Sequence, residues 1–229
     1  MEPERLRMRR CVRRWVRSWA PGSIALEVGG GTSFLKPVVK AEVPMVTFIS
    51  GENAPTNQTD VVMDATVLPI ATAAVDAELA LEVLEHLDSP KRLLDEASRV
   101  LRPGGHLVIT VPFMFGVEDF RDYYRYTPLG FSTMHASAGR VDRHPTSRGT
   151  FVASTGLIRN LIPNTFVGEP KDWRAPGRRK KVLWLLATAV LTPRTVVTWA
   201  AYGMDSLLDR DSKSPPGYFF LCTRLSGEM

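Results

Sequence analysis

The sequence predicts an α/β fold built on a doubly wound, mostly parallel sheet, and three observations carry that prediction. Strand-like and helix-like segments alternate through residues 1–113. The run HLVITV, His106–Val111, is an uninterrupted β segment directly after a helix, as expected of a strand covered on both faces. Glycines or acids (Gly29, Asp64, Glu82) fall at the predicted carboxyl ends of strands, where such sheets bind ligands. The chain has 229 residues, 44% hydrophobic and 23% charged, enough for one good-sized core with an ordinary globular composition.

Residues 5–19 read as a helix, because Leu6, Val12, Trp15, Val16 and Trp19 recur at helical spacing with arginines between them; Pro21-Gly22 stops it. Ile24–Val28 is a short buried strand that runs into three glycines. Pro37 shortens or displaces a helix that begins near Phe34. Met45–Ile49 reads as a second strand, residues 53–60 as a polar loop, and Val61–Met63 as a third strand ending at Asp64. Ala73–Leu81 reads as a fourth strand running into EVLEH, Glu82–His86. Ser89-Pro90 is a strong helix start, with Ser as N-cap and Pro at the first helical position. Leu93, Leu94, Ala97, Val100 and Leu101 form the apolar face of that helix, and Pro103-Gly104-Gly105 ends it. The second half is less regular. It offers helices over 127–138 and 151–162, a strand from Val141, the apolar run Val182–Leu191 interrupted by Pro193-Arg194, and a closing strand Gly217–Leu225.

Three ligand-binding loops share glycines at such a strand end. A Walker-type phosphate loop needs a Lys-Ser/Thr pair that is absent here. A dinucleotide loop needs G-x-G-x-x-G; Gly29 and Gly31 supply two places, but the third falls on Phe34, whose ring blocks the close helix–strand packing a glycine permits. The remaining pattern is an acid, then alternating glycines: Glu27, Gly29 and Gly31, with Ser33 in place of the last glycine.

With DVVMDATVLPI (Asp60–Ile70) and LALEVLEHLDSPKRLLDEASRVLRPGGHLVITVPF (Leu79–Phe113), this loop resembles the class I S-adenosylmethionine-dependent methyltransferases, of the type 11-like kind, over residues 24–113. The resemblance implies a single Rossmann-like domain, residues 1–229, with a seven-stranded sheet, an antiparallel C-terminal strand and helical lid insertions. Within it, 1–22 is a basic helix, 23–113 the cofactor half, and 114–229 the substrate and lid half. It implies S-adenosyl-L-methionine as cofactor. Gly29 and Gly31 admit its methionine and ribose portions, Glu27 holds its amino group, and Asp64 with Ala65 addresses the adenine. Glu82 sits at the fourth strand end, facing cofactor and substrate. Glu27 and Glu82 also suit a sulfonium cation. Two departures stand out. Ser33 occupies a glycine place, and the acid usual at the end of the second strand is missing from Ser50, with Glu52 two residues on as its substitute.

GVEDFRDYYRYTP, Gly116–Pro128, resembles the D-Y-x-R-[FY]-T segment of a subgroup that modifies glycans and small metabolites, which makes Asp122, Tyr123, Arg125 and Tyr126 candidates for substrate binding. The alternative is that the tyrosines pack and Arg125 pairs with Asp122. Relatives often carry a His where Val117 stands, so no base transfers from that place. His86, in EVLEH, is the candidate base, with Glu82 beside it as the second catalytic candidate; a structural hydrogen bond from His86 is the competing reading. The implied reaction is methyl transfer by direct displacement to a hydroxyl of a sugar, glycan or small metabolite. N- or C-methylation and a catalytically degenerate binding subunit remain open.

Cys11 and Cys222 lie at opposite ends, outside any metal-type spacing, so the compartment reads as reducing with no disulfide framework. The EVLEH run also resembles one that some quinone-modifying relatives use for a metal, which would make Glu82, Glu85 and His86 a possible site, but a structural role for His86 is preferred and no metal is expected. The N-terminus lacks a signal-type apolar core, and a cytoplasmic location is expected. Residues 1–20 carry seven arginines against two glutamates, and residues 171–181 carry six basic residues against Asp172. Each segment is +5 in a chain whose net charge is +5. With no aromatics interleaved over one broad basic face, and no nucleic-acid methyltransferase motif, nucleic acid is not the expected partner. Peripheral contact of 1–20 and 171–200 with a membrane surface is weighed against a solvated face and a core helix.

Overall fold

A computed structural model describes residues 3–31, 33–113, 120–135, 140–143, 200, 203–204 and 217–225. The expected helix over 151–162, the apolar run 182–191, the basic segment 171–181 and Val117 lie outside the described residues. The chain divides into two compact units. One comprises Met1–Pro112, Asp119–Pro145 and Tyr218–Met229, the other Phe113–Glu118 and Thr146–Gly217. The elements below belong to the first unit, Gly217 at the start of the last strand excepted.

The strands are β1 (Ile24–Val28), β2 (Thr47–Glu52), β3 (Val61–Val62), β4 (Val75–Leu81), β5 (Leu101–Pro112), β6 (Arg140–Arg143) and β7 (Gly217–Thr223). They form one sheet in the order β3-β2-β1-β4-β5-β7-β6. The pairs β1–β2, β1–β4, β2–β3 and β4–β5 are parallel, and β6–β7 is antiparallel. The chain therefore leaves β1 in one direction, through β2 and β3, and returns to its other side with β4. Strand order reverses between β1 and β4, and the crevice beyond their carboxyl ends is the natural ligand site.

The helices are α1 (Pro3–Val16), α2 (Lys36–Glu42), α3 (Pro90–Val100) and α4 (Pro128–His135). The inner face of α1 buries Val12 and Val16 in a cluster with Ala25, Leu35, Val39 and Leu79, and Trp15 and Trp19 pack against the same cluster. Pro37 sits in the first turn of α2, where its missing N–H costs nothing. The apolar face of α3 buries Leu93, Leu94, Ala97 and Val100 completely. The helix starts as the sequence predicts, with Ser89 at the N-cap and Pro90 first in the helix, but without the side-chain cap. The Ser89 hydroxyl makes no capping bond, and the Ser89 carbonyl instead accepts the Arg92 N–H at 3.0 Å. On β7 alternate residues are buried, and Phe220 stacks on Phe131 of α4 with centroids 3.9 Å apart.

Element ends shift where backbone pairing decides them. The first helix ends at Val16 rather than Trp19. The fourth strand starts at Val75 rather than Ala73, whose φ of 53° takes it out of extended geometry. The second strand runs two to three residues later than expected, over Thr47–Glu52. The RPGG turn is absorbed into β5 as a bulge: Val75 pairs with Leu101, yet Ala77 pairs with His106, so residues 102–105 loop out of register. Gly104 takes φ +78° there, and a Cβ on Gly105 would stand 2.8 Å from the Arg102 carbonyl oxygen. Arg102 reaches back to Asp76 at 2.6 Å and pins the bulge.

Glu78, in the middle of β4, is fully buried with no hydrogen bond to either carboxyl oxygen among the described residues. Arg99 is taken up by Glu96 and by the carbonyls of Leu68 and Ile70. Burial, reinforced by the Glu96 charge, pushes the Glu78 pKa up to about 8. Folded protein thus keeps a proton that the unfolded chain releases near its ordinary value of 4.5. Each such group makes stability fall as pH rises from about 4.5 to about 8. Glu85 has the same sign and range. Urea unfolding at a series of pH values is expected to show this decline, and Glu78→Gln to remove part of it; an unchanged slope in the variant would contradict the assignment.

Candidate functional site

The cradle is built at the carboxyl ends of β1 and β2. β1 delivers Glu27 and then the glycines; Gly29 and Gly31 take φ +67° and +50°, the left-handed region that L side chains avoid. A Cβ on Gly29 would collide with Val83 of the turn after β4, and one on Gly30 would stand 2.6 Å from Glu27 Oε2. At Gly31 an added Cβ meets nothing within 4 Å, so that residue borders open space. The Gly29 N–H donates to the Gly51 carbonyl at 3.0 Å, which ties the loop to β2.

Glu27 is 1% exposed. It accepts hydrogen bonds from the hydroxyls of Ser33 and Ser50, the latter at 3.3 Å, and Ser50 is its partner in register across β1–β2. Burial raises its pKa, partly offset by those two hydroxyls. Ser33 itself has φ +44°, so it adopts the backbone that the replaced glycine would adopt. It is also the loop's link to Glu27.

Glu52 is the last residue of β2. Its Oε1 accepts the Gly31 N–H at 2.6 Å and its Oε2 the Asn53 N–H at 3.2 Å. The apparent gap in the second-strand acid arose from ending the strand at Ile49. With β2 extended to residue 52, Glu52 holds the strand-end place, and Ser50 sits two residues inside.

Asp64 and Ala65 follow β3, two strands from β1. Asp64 is exposed and closes a local turn: its Oδ1 accepts both the N–H and the hydroxyl of Thr66 at 2.7 Å. Those bonds hold its pKa below the ordinary carboxylate value. Glu82 follows β4 with φ +53°, a strained backbone for a non-glycine residue, and its N–H donates to the Thr110 carbonyl and hydroxyl of β5 at 3.0 and 3.1 Å. The carboxyl ends of β1, β2 and β4 therefore carry Glu27, Gly29, Gly31, Glu52 and Glu82 around the switch point.

The segment 120–127 is strapped over the short 3-10 turn Leu84–His86. Tyr123 N–H donates to the Glu85 carbonyl at 2.8 Å, Tyr124 hydroxyl to the Asp88 carbonyl at 3.1 Å, and Tyr126 hydroxyl to the Leu84 carbonyl at 3.2 Å. His86 Nδ1 lies 3.3 Å from the Arg121 carbonyl and its Nε2 lies 3.8 Å from Glu85 Oε1. Asp122 and Arg125 form a two-pronged ion pair, with Nη2 to Oδ2 at 2.7 Å; the Asp122 side chain is 1% exposed. Of the four substrate-binding candidates, Asp122 and Arg125 thus hold each other and Tyr126 is buried, while Tyr123 is half exposed. His86 lies against the strap through the Arg121 carbonyl.

Glu85, which the sequence offers only as a possible metal ligand with Glu82 and His86, lies inside the turn. It is 2% exposed, its Oε2 has no hydrogen bond among the described residues, and burial with the nearby Glu82 charge raises its pKa to about 8. The EVLEH motif pointed to the turn but not to which acid is inside it. Among the described residues no group of three or more His, Cys, Asp or Glu side chains is arranged to hold a metal.

Residues 26–109 match the family model of a methyltransferase domain. A Mycolicibacterium smegmatis protein named a "probable S-adenosylmethionine-dependent methyltransferase" is 33% identical over 89 residues, which is 38% of this chain; the match spans about a third of that relative's length (33%). Phosphoethanolamine N-methyltransferase 2 of Haemonchus contortus, solved with S-adenosyl-L-methionine, aligns at TM-score 0.58 and 12% identity, over 96% of this chain and 53% of that one. The [4+2]-cyclase SpnF aligns at TM-score 0.57 and 16% identity, over 95% and 81%. The fold is that of the class I S-adenosylmethionine-dependent methyltransferases. The resemblance read from the glycine loop, the EVLEH turn and the RPGG turn falls within or against the matched residues. The pair of neighbours also shows that this fold carries more than one chemistry.

Because the Asp122 carboxylate is buried under the strap, Asp122→Ala leaves the Arg125 guanidinium without its partner. It is expected to destabilise the protein by about 2 kcal/mol, measured by urea unfolding. A loss below about 0.5 kcal/mol would show that the pair does not hold the strap.

Proposed function

We propose that this protein is an S-adenosylmethionine-dependent methyltransferase that O-methylates a sugar, glycan or small metabolite by direct displacement. The observation that carries the reading is the cradle at the β1–β4 switch point. There a left-handed Gly31 borders open space and a strand-end acid, Glu52, holds the loop by its backbone N–H. The donor set suits the cofactor: Glu52 for ribose hydroxyls, Glu27 and Glu82 for the cationic portions, and Asp64 for an amine donor on the adenine. Bound S-adenosylmethionine supplies an electrophilic methyl group. The residues of this chain then have to bind, orient and exclude water, and displacement asks for little more than alignment of nucleophile, methyl and sulfur.

The acceptor reading rests on charge. Glu52 and Glu82 bring carboxylates to the crevice, so an anionic acceptor would be repelled and a neutral hydroxyl compound tolerated. The same acids favour a cationic amine, which keeps N-methylation as the second reading; product analysis after incubation with mixed acceptors separates the two. In either case a Nδ1–H bond to the Arg121 carbonyl would leave the Nε2 lone pair as the basic position of His86.

Calorimetric titration with S-adenosylhomocysteine tests the cofactor site. Wild type is expected to bind in the micromolar range. Glu52→Ala, which removes charge-assisted hydrogen bonds, should weaken binding by about tenfold or more. Gly31→Ala should strain the loop by about 1–2 kcal/mol and lose binding with it. Absence of binding by folded wild type would remove the enzyme reading and leave a methyltransferase-fold binding subunit.

A further inference from the structure

Arg10, Arg13 and Arg14 of α1, with Arg17 in the turn that follows, are spaced as i, i+3, i+4 and i+7, and all four are exposed. Val12, Trp15, Val16 and Trp19 repeat the same spacing on the opposite face, where the two valines are fully buried and the tryptophans pack against the core. The Trp15 and Trp19 rings meet edge to face at 4.7 Å, and Trp15 also meets His106 of β5 at 5.8 Å. Because the apolar face is locked to the core, the arginine face is held outward. Glu42, the last residue of α2, accepts Arg13 Nε at 2.8 Å and Arg17 Nε at 2.9 Å. One carboxylate therefore sets two guanidiniums side by side.

We propose that this arginine stripe docks the protein on an anionic lipid bilayer surface, its guanidiniums meeting phosphate and carboxylate headgroups. Residues 1–20 contribute +5, as do residues 171–181, in a chain whose net charge is +5, so the arginine stripe stands against an otherwise acidic body. The stripe spans about 10 Å along a convex helix, which suits a flat polyanion. A single-stranded nucleic acid site would be expected to offer rings for base stacking between the basic groups, and here both tryptophans are turned inward. An acidic protein partner would be expected to meet an apolar centre, and the residues set among the arginines on the outer side are Cys11 and Ser18. The proposal does not rest on the methyltransferase reading.

Co-sedimentation of the full chain with phosphatidylserine vesicles tests it, with phosphatidylcholine vesicles alongside and S-adenosylhomocysteine titrated separately. Binding is expected to the anionic vesicles only, to fall at least tenfold between 50 mM and 500 mM salt on the order of the Debye screening change, and to fall at least about tenfold in the double variant Arg10→Gln, Arg14→Gln. Arg10→Lys, Arg14→Lys should retain it, since headgroup attraction needs charge rather than a planar fork. The variants should stay folded and keep wild-type S-adenosylhomocysteine affinity, because neither residue lies at the cradle. Equal binding to both vesicles, undiminished binding by the glutamine variant, or tighter binding to a single-stranded RNA at equal phosphate concentration would overturn the assignment.

Discussion

The Glu27 carboxyl is held inside the sheet by the hydroxyls of Ser33 and Ser50, and the cradle is organised around that contact. It joins β1, which carries Glu27, to β2, which carries Ser50, and to the loop that returns through Ser33. A buried carboxyl without those hydroxyls would be left to take up a proton or to open the loop. The contact also leaves no room for a side chain at residue 30, because a Cβ there would collide with the same carboxyl and with Ser50. Three consecutive glycines therefore answer three different demands. Gly29 makes way for Val83, Gly30 for Glu27, and Gly31 supplies a left-handed turn beside open space.

Outward from the cradle, each layer is fixed by a different kind of force. The sheet is held by parallel pairing and by apolar burial under α1 and α3. The bulge in β5 is fixed by a glycine backbone and by Arg102 on Asp76. The strap over the Leu84–His86 turn is held by polar bonds to backbone carbonyls and by one ion pair, with little apolar burial beyond Tyr126. Segments held mainly by exchangeable polar bonds open more readily than packed strands. The strap is thus the least firmly held part of this unit, while the cradle is built on packed strands.

The carboxyls of this unit separate by environment. Glu78, with neither oxygen hydrogen-bonded among the described residues, and Glu85, with one oxygen unsatisfied, are buried and keep their protons to about pH 8. Asp60, Asp64 and Glu96 are held below their ordinary values by hydrogen bonds from Lys36, Thr66 and Arg99.

The sequence by itself determined the alternation of strands and helices, the glycine loop, the helix start at Pro90 and the RPGG turn, because each depends on neighbours within a few residues: backbone freedom, a missing N–H, or an apolar face of fixed period. Only the tertiary structure decided that β2 runs on to Glu52, since strand ends are set by pairing, here Gly51 with Val61 and Glu52 with Val62. Only it decided that Ser33 takes a glycine's backbone while serving Glu27, and that Asp122 and Arg125 hold each other. Only it brought residues about 35 to 42 apart in the chain together to tie the strap to its turn. Such contacts join residues whose types suit several partners equally well, and the choice among those partners is made by the packing of the sheet beneath them.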